Sequence, residues 1–336
     1  MNDDYLWDRS GEPDPEVERL EELLSRYRHE GDGSDLALEA SLVVPFHRRR
    51  WVVLAIAAIL VLVVGGALLQ GRLTTWEILS IDGSTTVANQ TVDAGSEISR
   101  GDVVATGEDG SARIRIGAIG FVDVAPRSRL RLLRSRTTRQ HLELEHGRID
   151  AVITAPPRIF LVSTPVVEAI DLGCAYTLDI DPEGYGYLEV SLGWVALENG
   201  REAYVPAGAR SLLDPTMGPG TPVFDDASPE LREAVRQLDF ETLSGEERRV
   251  ALFVVLRNAK ERDLITLWHL LLRTNDEERI LVVKGITMLI ELPAGVDRKD
   301  LARGDEDAIT RLGAELGIRE STWWSGFIDE VARRLG

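Results

Sequence analysis

Hydrophobic and polar positions divide the chain into four stretches with different periods. From Trp51 to Leu69 the sequence WVVLAIAAILVLVVGGALL has no polar side chain, and the first charge after Arg50 is Arg72. At 1.5 Å rise per residue this run is roughly 28 Å long as a helix, the thickness of a bilayer's hydrocarbon core. A buried core helix of that length is seldom apolar all the way round, so the pattern predicts one transmembrane helix over 51–70. Before it, Val17, Leu20, Leu23, Leu24 and Tyr27 recur at helical spacing. Asp14 is placed to cap that helix, Pro15 suits its first position, and Gly31 and Gly33 stop it.

Beyond the apolar run the period changes to two. Ser111-Ala112-Arg113-Ile114-Arg115-Ile116, Arg129-Leu130-Arg131-Leu132 and Leu142-Glu143-Leu144-Glu145 each put apolar residues on one face of a strand and charges on the other. Turn signals recur at short intervals: Asp82-Gly83, Asp109-Gly110, Pro182-Glu183-Gly184 and Asn199-Gly200. Many short strands without intervening helices predict an all-β domain over 78–222, whether sandwich, barrel or short solenoid. Alternation does not choose among these.

The Pro- and Gly-rich MGPGTPVFDDASP marks a boundary, and from 228 to 336 the period is helical again. Ser228-Pro229 opens a first helix, and Ser244 with Glu247 forms a capping box before a second. Further helices are predicted over 263–273, 275–292, 305–316 and 322–335. Short connections between them predict an all-α domain of helical hairpins, HEAT-like in style though without a strict period. Trp268, His269, Trp323 and Trp324 read as core or groove lining, and a module of this kind ordinarily binds protein.

Charge then sets direction and partners. The sequence has 336 residues, and its net charge of -18 argues against nucleic acid as a partner. Residues 1–47 carry 13 Asp/Glu against 4 Arg, an acidic segment whose apolar stripe calls for a protein partner. Arg48, Arg49 and Arg50 abut the apolar run on its N-terminal side, which by the positive-inside bias puts the N-terminus in the cytoplasm. Everything after about residue 72 is then periplasmic in a bacterial cell, and Trp51 and Trp76 flank the span as interface anchors. Arg127, Arg129, Arg131, Arg134, Arg136 and Arg139 read either as the solvent face of strands or as a contact for an anionic glycan or lipid head group.

Candidate chemistry is sparse. The single cysteine, Cys174, forms no intramolecular disulfide, and five scattered histidines give no metal-ligand spacing. There is no G-x-S-x-G and no phosphate loop, so the expectation is a protein that is not an enzyme and uses no cofactor.

Two stretches carry a resemblance. Tyr5-Leu6-Trp7 through Leu24 looks like the opening helix of bacterial anti-sigma factors, without the His-x3-Cys-x2-Cys motif of their zinc-binding kind. Gly101-Asp102-Val103-Val104-Ala105-Thr106-Gly107, then Leu142 to Ile149, FLVSTP at 160–165, Asp171-Leu172-Gly173-Cys174-Ala175-Tyr176 and Val190 to Val195 are similar, in order, to the FecR domain. Where that family has Gly-Thr-x-Phe, this chain has Gly173-Cys174-Ala175-Tyr176, which reads as core packing with an inert buried thiol. The resemblance implies an inner-membrane regulator whose cytoplasmic segment binds an ECF-type sigma factor and whose periplasmic domains sense or relay a signal. By that implication Val17, Leu20, Leu23, Leu24 and Tyr27 form the sigma-binding stripe, and an envelope protein or glycan is the periplasmic partner. Nothing after residue 225 resembles the transporter-docking domain of iron-uptake members. The other expectation is an envelope scaffold or adhesion module without sigma-factor control.

Overall fold

The computed structural model describes residues 75–318. The acidic segment 1–47 with its stripe, Arg48 to Arg50, the apolar run 51–70 and the helix expected over 322–335 lie outside the described residues. No helix among the described residues is long and apolar enough to cross a membrane.

Residues 76–224 form a single hydrogen-bonded sheet of sixteen strands. The first eight are β1 (Trp76–Asp82), β2 (Thr85–Val87), β3 (Gln90–Thr91), β4 (Glu97–Ile98), β5 (Val103–Thr106), β6 (Ser111–Ile116), β7 (Gly120–Val124) and β8 (Arg129–Arg136). Three long strands follow, β9 (Arg139–Ile153), β11 (Glu168–Ile180) and β12 (Gly186–Glu198), with the short β10 (Phe160–Ser163) between the first two. The sheet ends in β13 (Glu202–Pro206), β14 (Ala209–Asp214), β15 (Gly218–Pro219) and β16 (Val223–Phe224).

The long strands divide their pairing between two runs. The first half of β9 pairs with β8 and, in parallel, with β10, while its second half pairs with β7 and β11. Similarly, β12 gives residues 186–190 to β14 and residues 194–198 to β13. Each run buries one face: β6 alternates buried isoleucines with exposed arginines, and β8 buries Leu130 and Leu132. Both faces contribute to one hydrophobic core, so the sheet is folded over on itself.

Glycines make the fold possible where the long strands change run. Gly147, Gly173 and Gly193 have φ of 100°, 86° and 77°, a region that side chains with a Cβ avoid. The latter two pack against each other, and a Cβ on Gly193 would lie 2.2 Å from the Gly173 carbonyl oxygen.

Trp76 is no interface anchor, because its side chain is core. The residue is 1% exposed, its ring lies 6.4 Å from that of Phe160, and its indole N–H donates to Gln140 Oε1 at 2.8 Å.

Among the described residues six α-helices follow, α1 (Pro229–Phe240), α2 (Gly245–Asn258), α3 (Leu264–Arg273), α4 (Asp276–Leu289), α5 (Arg298–Arg303) and α6 (Glu306–Glu315), with one 3-10 turn at Glu261–Asp263. Ser228 caps α1, and the Ser244–Glu247 capping box opens α2 as the sequence predicts. An Asn275–Glu278 box opens α4, which ends at Leu289 rather than 292. The short α5 has no counterpart among the helices that the sequence pattern predicts. The Pro- and Gly-rich stretch expected to mark the boundary contributes β15 and β16, both paired with β14, before α1 begins.

Candidate functional site

Neither set of residues singled out by sequence, the stripe Val17, Leu20, Leu23, Leu24 and Tyr27 or the membrane-flanking Arg48, Arg49 and Arg50, lies among the described residues. What the structure adds is a seam where the helices close the sheet. Along the outer edge of β13, Tyr204 N–H donates to His269 Nε2 at 2.9 Å, and the Glu202 carbonyl accepts from Arg273 Nη2 at 3.0 Å. An open strand edge exposes such groups to pairing with other chains, and here the side chains of α3 satisfy them. Trp268, beside them, donates its indole N–H to the Ile309 carbonyl of α6 at 2.8 Å.

A buried polar cluster fastens the seam. Asp239 of α1 accepts from Thr221 N–H at 2.6 Å and Thr221 Oγ1 at 3.0 Å, and from Arg273 Nη1 at 3.1 Å. The Asp239 and Arg273 side chains are 3% and 6% exposed, and burial pulls the Arg273 pKa below its ordinary value. Thr266 Oγ1 adds a bond to the Pro222 carbonyl at 2.7 Å. Beside the cluster a cavity of about 380 Å³ opens between β14 and α1, lined among others by Leu212, Val223, Arg232, Arg236 and Phe240.

A second polar group sits at the glycine corner of β11. The register shift between Asp171 and Cys174 turns both side chains into the core. Asp171 Oδ1 accepts from Gly173 N–H at 2.6 Å, and the Cys174 thiol donates to Oδ2, also at 2.6 Å. Burial pushes the Asp171 pKa up to about 8, against the pull of those two donors. Burial also raises the Cys174 thiol well above its ordinary value, helped by the negative charge of Asp171. A thiol held protonated in the core is a poor nucleophile, which agrees with the inert role expected for Cys174.

The arginine-rich face is largely paired. Arg129 and Arg131 both reach Glu145, at 2.7 and 2.8 Å, across the β8–β9 ladder, and Arg127 reaches Glu108 at 3.1 Å. Arg139 lies 3.9 Å from Glu168. Arg134 and Arg136, at the exposed end of the hairpin, have no carboxylate within ion-pair distance among the described residues. The basic run is thus a solvated ladder along most of its length and an unneutralised cluster only at its tip.

Sequence reasoning missed a close contact between His141 Nε2 and Ser163 Oγ, 2.7 Å apart on the neighbouring strands β9 and β10. Partial burial lowers the His141 pKa. A nucleophilic triad also needs a group orienting Nδ1, and none is hydrogen-bonded to it among the described residues. The two are 22 positions apart in the chain; only the parallel β9–β10 pairing brings them together, and no local signal announces it.

Comparison with known proteins agrees with this architecture in one segment. Residues 102–195 match the family described as FecR protein. No curated protein is significantly similar to the chain. Two crystal structures of a candidate anti-sigma factor from Parabacteroides distasonis, at 1.65 and 2.50 Å resolution, each align with a TM-score of 0.32 and 14% identity. Each alignment covers 40% of this chain and 64% of that one, so the chain spans less than two-thirds of the length of the protein it resembles. A likeness this distant carries no argument of its own. The matched family segment runs from the start of β5 into β12 and contains all three glycine corners, and through it the chain carries a FecR domain.

Proposed function

We propose that this chain is a single-pass regulator of the bacterial inner membrane that controls an ECF-type sigma factor. The observation that carries the reading is the order of parts in one chain: a FecR domain at 102–195 stands after a charge-free apolar run that Arg48, Arg49 and Arg50 precede. The apolar run spans the membrane with the N-terminus in the cytoplasm. Inside, the stripe Val17, Leu20, Leu23, Leu24 and Tyr27 holds the sigma factor. Outside, the FecR domain and its helices sense or relay a signal through contact with an envelope partner. The reading is non-enzymatic and requires no cofactor.

The seam supports a relay. Tyr204, Glu202 and Thr221 are bonded to α3 and α1, which ties the helices to the sheet edge. In this reading, a partner bound to the helices acts on the sheet through those bonds.

The test is co-purification of the full chain from its host with any sigma factor encoded beside it. Retention that is lost in Leu20→Asp/Leu24→Asp, or when residues 1–47 are deleted, supports the proposal. A full-length chain that retains no sigma factor under any growth condition overturns it.

A further inference from the structure

We infer that the tip of the β8–β9 hairpin docks on anionic phospholipid head groups of the bilayer that anchors the chain. The inference rests on the membrane-spanning reading proposed above and adds a site to it. Three observations carry it.

The hairpin tip lies beside the place where the chain enters the sheet. Trp76, the first residue of β1, donates its indole N–H to Gln140 Oε1 at 2.8 Å, and Gln140 Nε2 donates to the Arg136 carbonyl at 3.0 Å. The turn over 136–139 is therefore two hydrogen bonds from the first residue of the sheet, although 64 positions separate Trp76 from Gln140 in the chain.

Chain length then limits how far the tip can stand from the lipid. Leu69, the end of the apolar run, is seven residue steps before Trp76. Fully extended, those steps reach about 25 Å, so Trp76, to which the tip is bonded through Gln140, stands no farther than that from the end of the apolar run.

The tip also has the charge that the site requires. Arg134, Arg136 and Arg139 are exposed there, and Arg100 joins them through a bond from its Nε to the Leu133 carbonyl at 3.1 Å. Of the neighbouring carboxylates, Asp102 accepts from Ser99 N–H, Glu143 faces Arg131, and Glu168 pairs with Arg139 at 3.9 Å, which leaves the charges of Arg134 and Arg136 unneutralised. On a chain of net charge -18, such a cluster stands out against a repulsive background. Each guanidinium close to an anionic surface raises occupancy about fivefold, and arginine's planar fork suits phosphate oxygens. Thr137 and Thr138, also exposed, leave room for head groups between the arginines.

The test uses the full chain in nanodiscs, with a fluorophore on Thr138→Cys and a nitroxide quencher at the lipid head groups. Cys174 is buried and does not compete for the label. Quenching is expected to be at least twofold stronger in phosphatidylglycerol than in phosphatidylcholine, and to fall to the phosphatidylcholine level at about 0.5 M salt. Arg134→Gln/Arg136→Gln/Arg139→Gln is expected to do the same with an unchanged melting temperature, because all three side chains are exposed. Equal quenching in both lipids, or no change in the triple variant, overturns the docking. Arginine-dependent retention by isolated peptidoglycan without lipid dependence overturns it in favour of a glycan. Alkaline carbonate extraction, run in parallel, separates the two readings. A chain released by carbonate defeats the membrane-spanning reading together with the docking, whereas an integral chain with equal quenching defeats the docking alone.

Discussion

The backbone N–H of Tyr204 ends on Nε2 of His269, 2.9 Å away, while Nδ1 of the same ring faces the Ile265 carbonyl at 2.7 Å. Only the neutral ring with its proton on Nδ1 satisfies both. Burial, with the Arg273 charge beside it, pushes the His269 pKa down to about 3. The unfolded chain takes up this proton near pH 6.5 and the folded chain does not until about pH 3, so stability falls as pH drops through that window. His269→Gln keeps an acceptor for Tyr204 and cannot titrate. Relative to the parent, its unfolding free energy is expected to improve by up to about 1.4 kcal/mol per pH unit on acidification from 6.5, read by chemical denaturation at a series of pH values.

Asp171 has the opposite sign. Its carboxyl ionises near 3.8 when unfolded and at about 8 when folded, so its contribution is complete below 3.8 and is lost as pH rises toward 8. Asp171→Asn keeps an acceptor for Gly173 N–H and removes the titration. The difference between variant and parent is expected to move in the variant's favour from pH 4 to 8 and then level off. Between pH 4 and 6.5 the two single variants therefore have slopes of opposite sign, and a shared slope would refute the assignment of either group.

Arg273 and Asp239 form a buried pair whose separate loss costs more than their joint loss. Arg273→Leu leaves the buried Asp239 carboxylate with Thr221 as its donor and Arg201 3.9 Å away, and removes the bond from Arg273 to the Glu202 carbonyl. The expected cost is about 3–5 kcal/mol. Adding Asp239→Leu should restore part of it, and a double-mutant cycle measures the coupling. Additive losses would mean that the pair acts as two independent hydrogen-bonding groups.

The glycine corners make a contrast at matched chemistry. Gly193→Ala drives a methyl toward the Gly173 carbonyl at φ 77°, whereas Gly200, at φ 64°, has nothing within 4 Å of its added Cβ. Gly200→Ala is expected to cost about 1 kcal/mol of backbone strain, and Gly193→Ala more than about 3 kcal/mol or outright failure to fold. Thermal unfolding with soluble yield distinguishes them, and equal stabilities would remove Gly193 from its role.

Local signals were legible and distant pairings were not. Alternation in Ser111 to Ile116 gave β6 residue for residue, and Ser228 and the Ser244–Glu247 box gave two helix starts, because a strand face and a cap are each written in a few adjacent residues. Trp76 misled because a tryptophan beside an apolar run has an interface anchor's local context, while its partners Gln140 and Phe160 lie far along the chain. Asp171 was hidden differently. A bulge reverses which face a side chain takes, and no alternation count anticipates where the count will slip. At six residues, α5 is too short to show a period; its capping Asp297 and its Gly304 at φ 77° are its only marks. His269 and Trp268 read correctly as buried, yet which strand they would close could not be read, since β13 precedes them by some 65 positions.

The placement of β1 has a mechanical consequence. It begins at Trp76 and runs between β4 and β6, with its first side chain locked in the core. A pull on the preceding residues acts along the strand and loads the hydrogen bonds to both neighbours together, in shear, instead of unzipping them one at a time. A tension applied just before Trp76 is thus resisted by β4 and β6 together, and it enters the sheet next to its terminal strand β4, far in the strand order from β14 and β15.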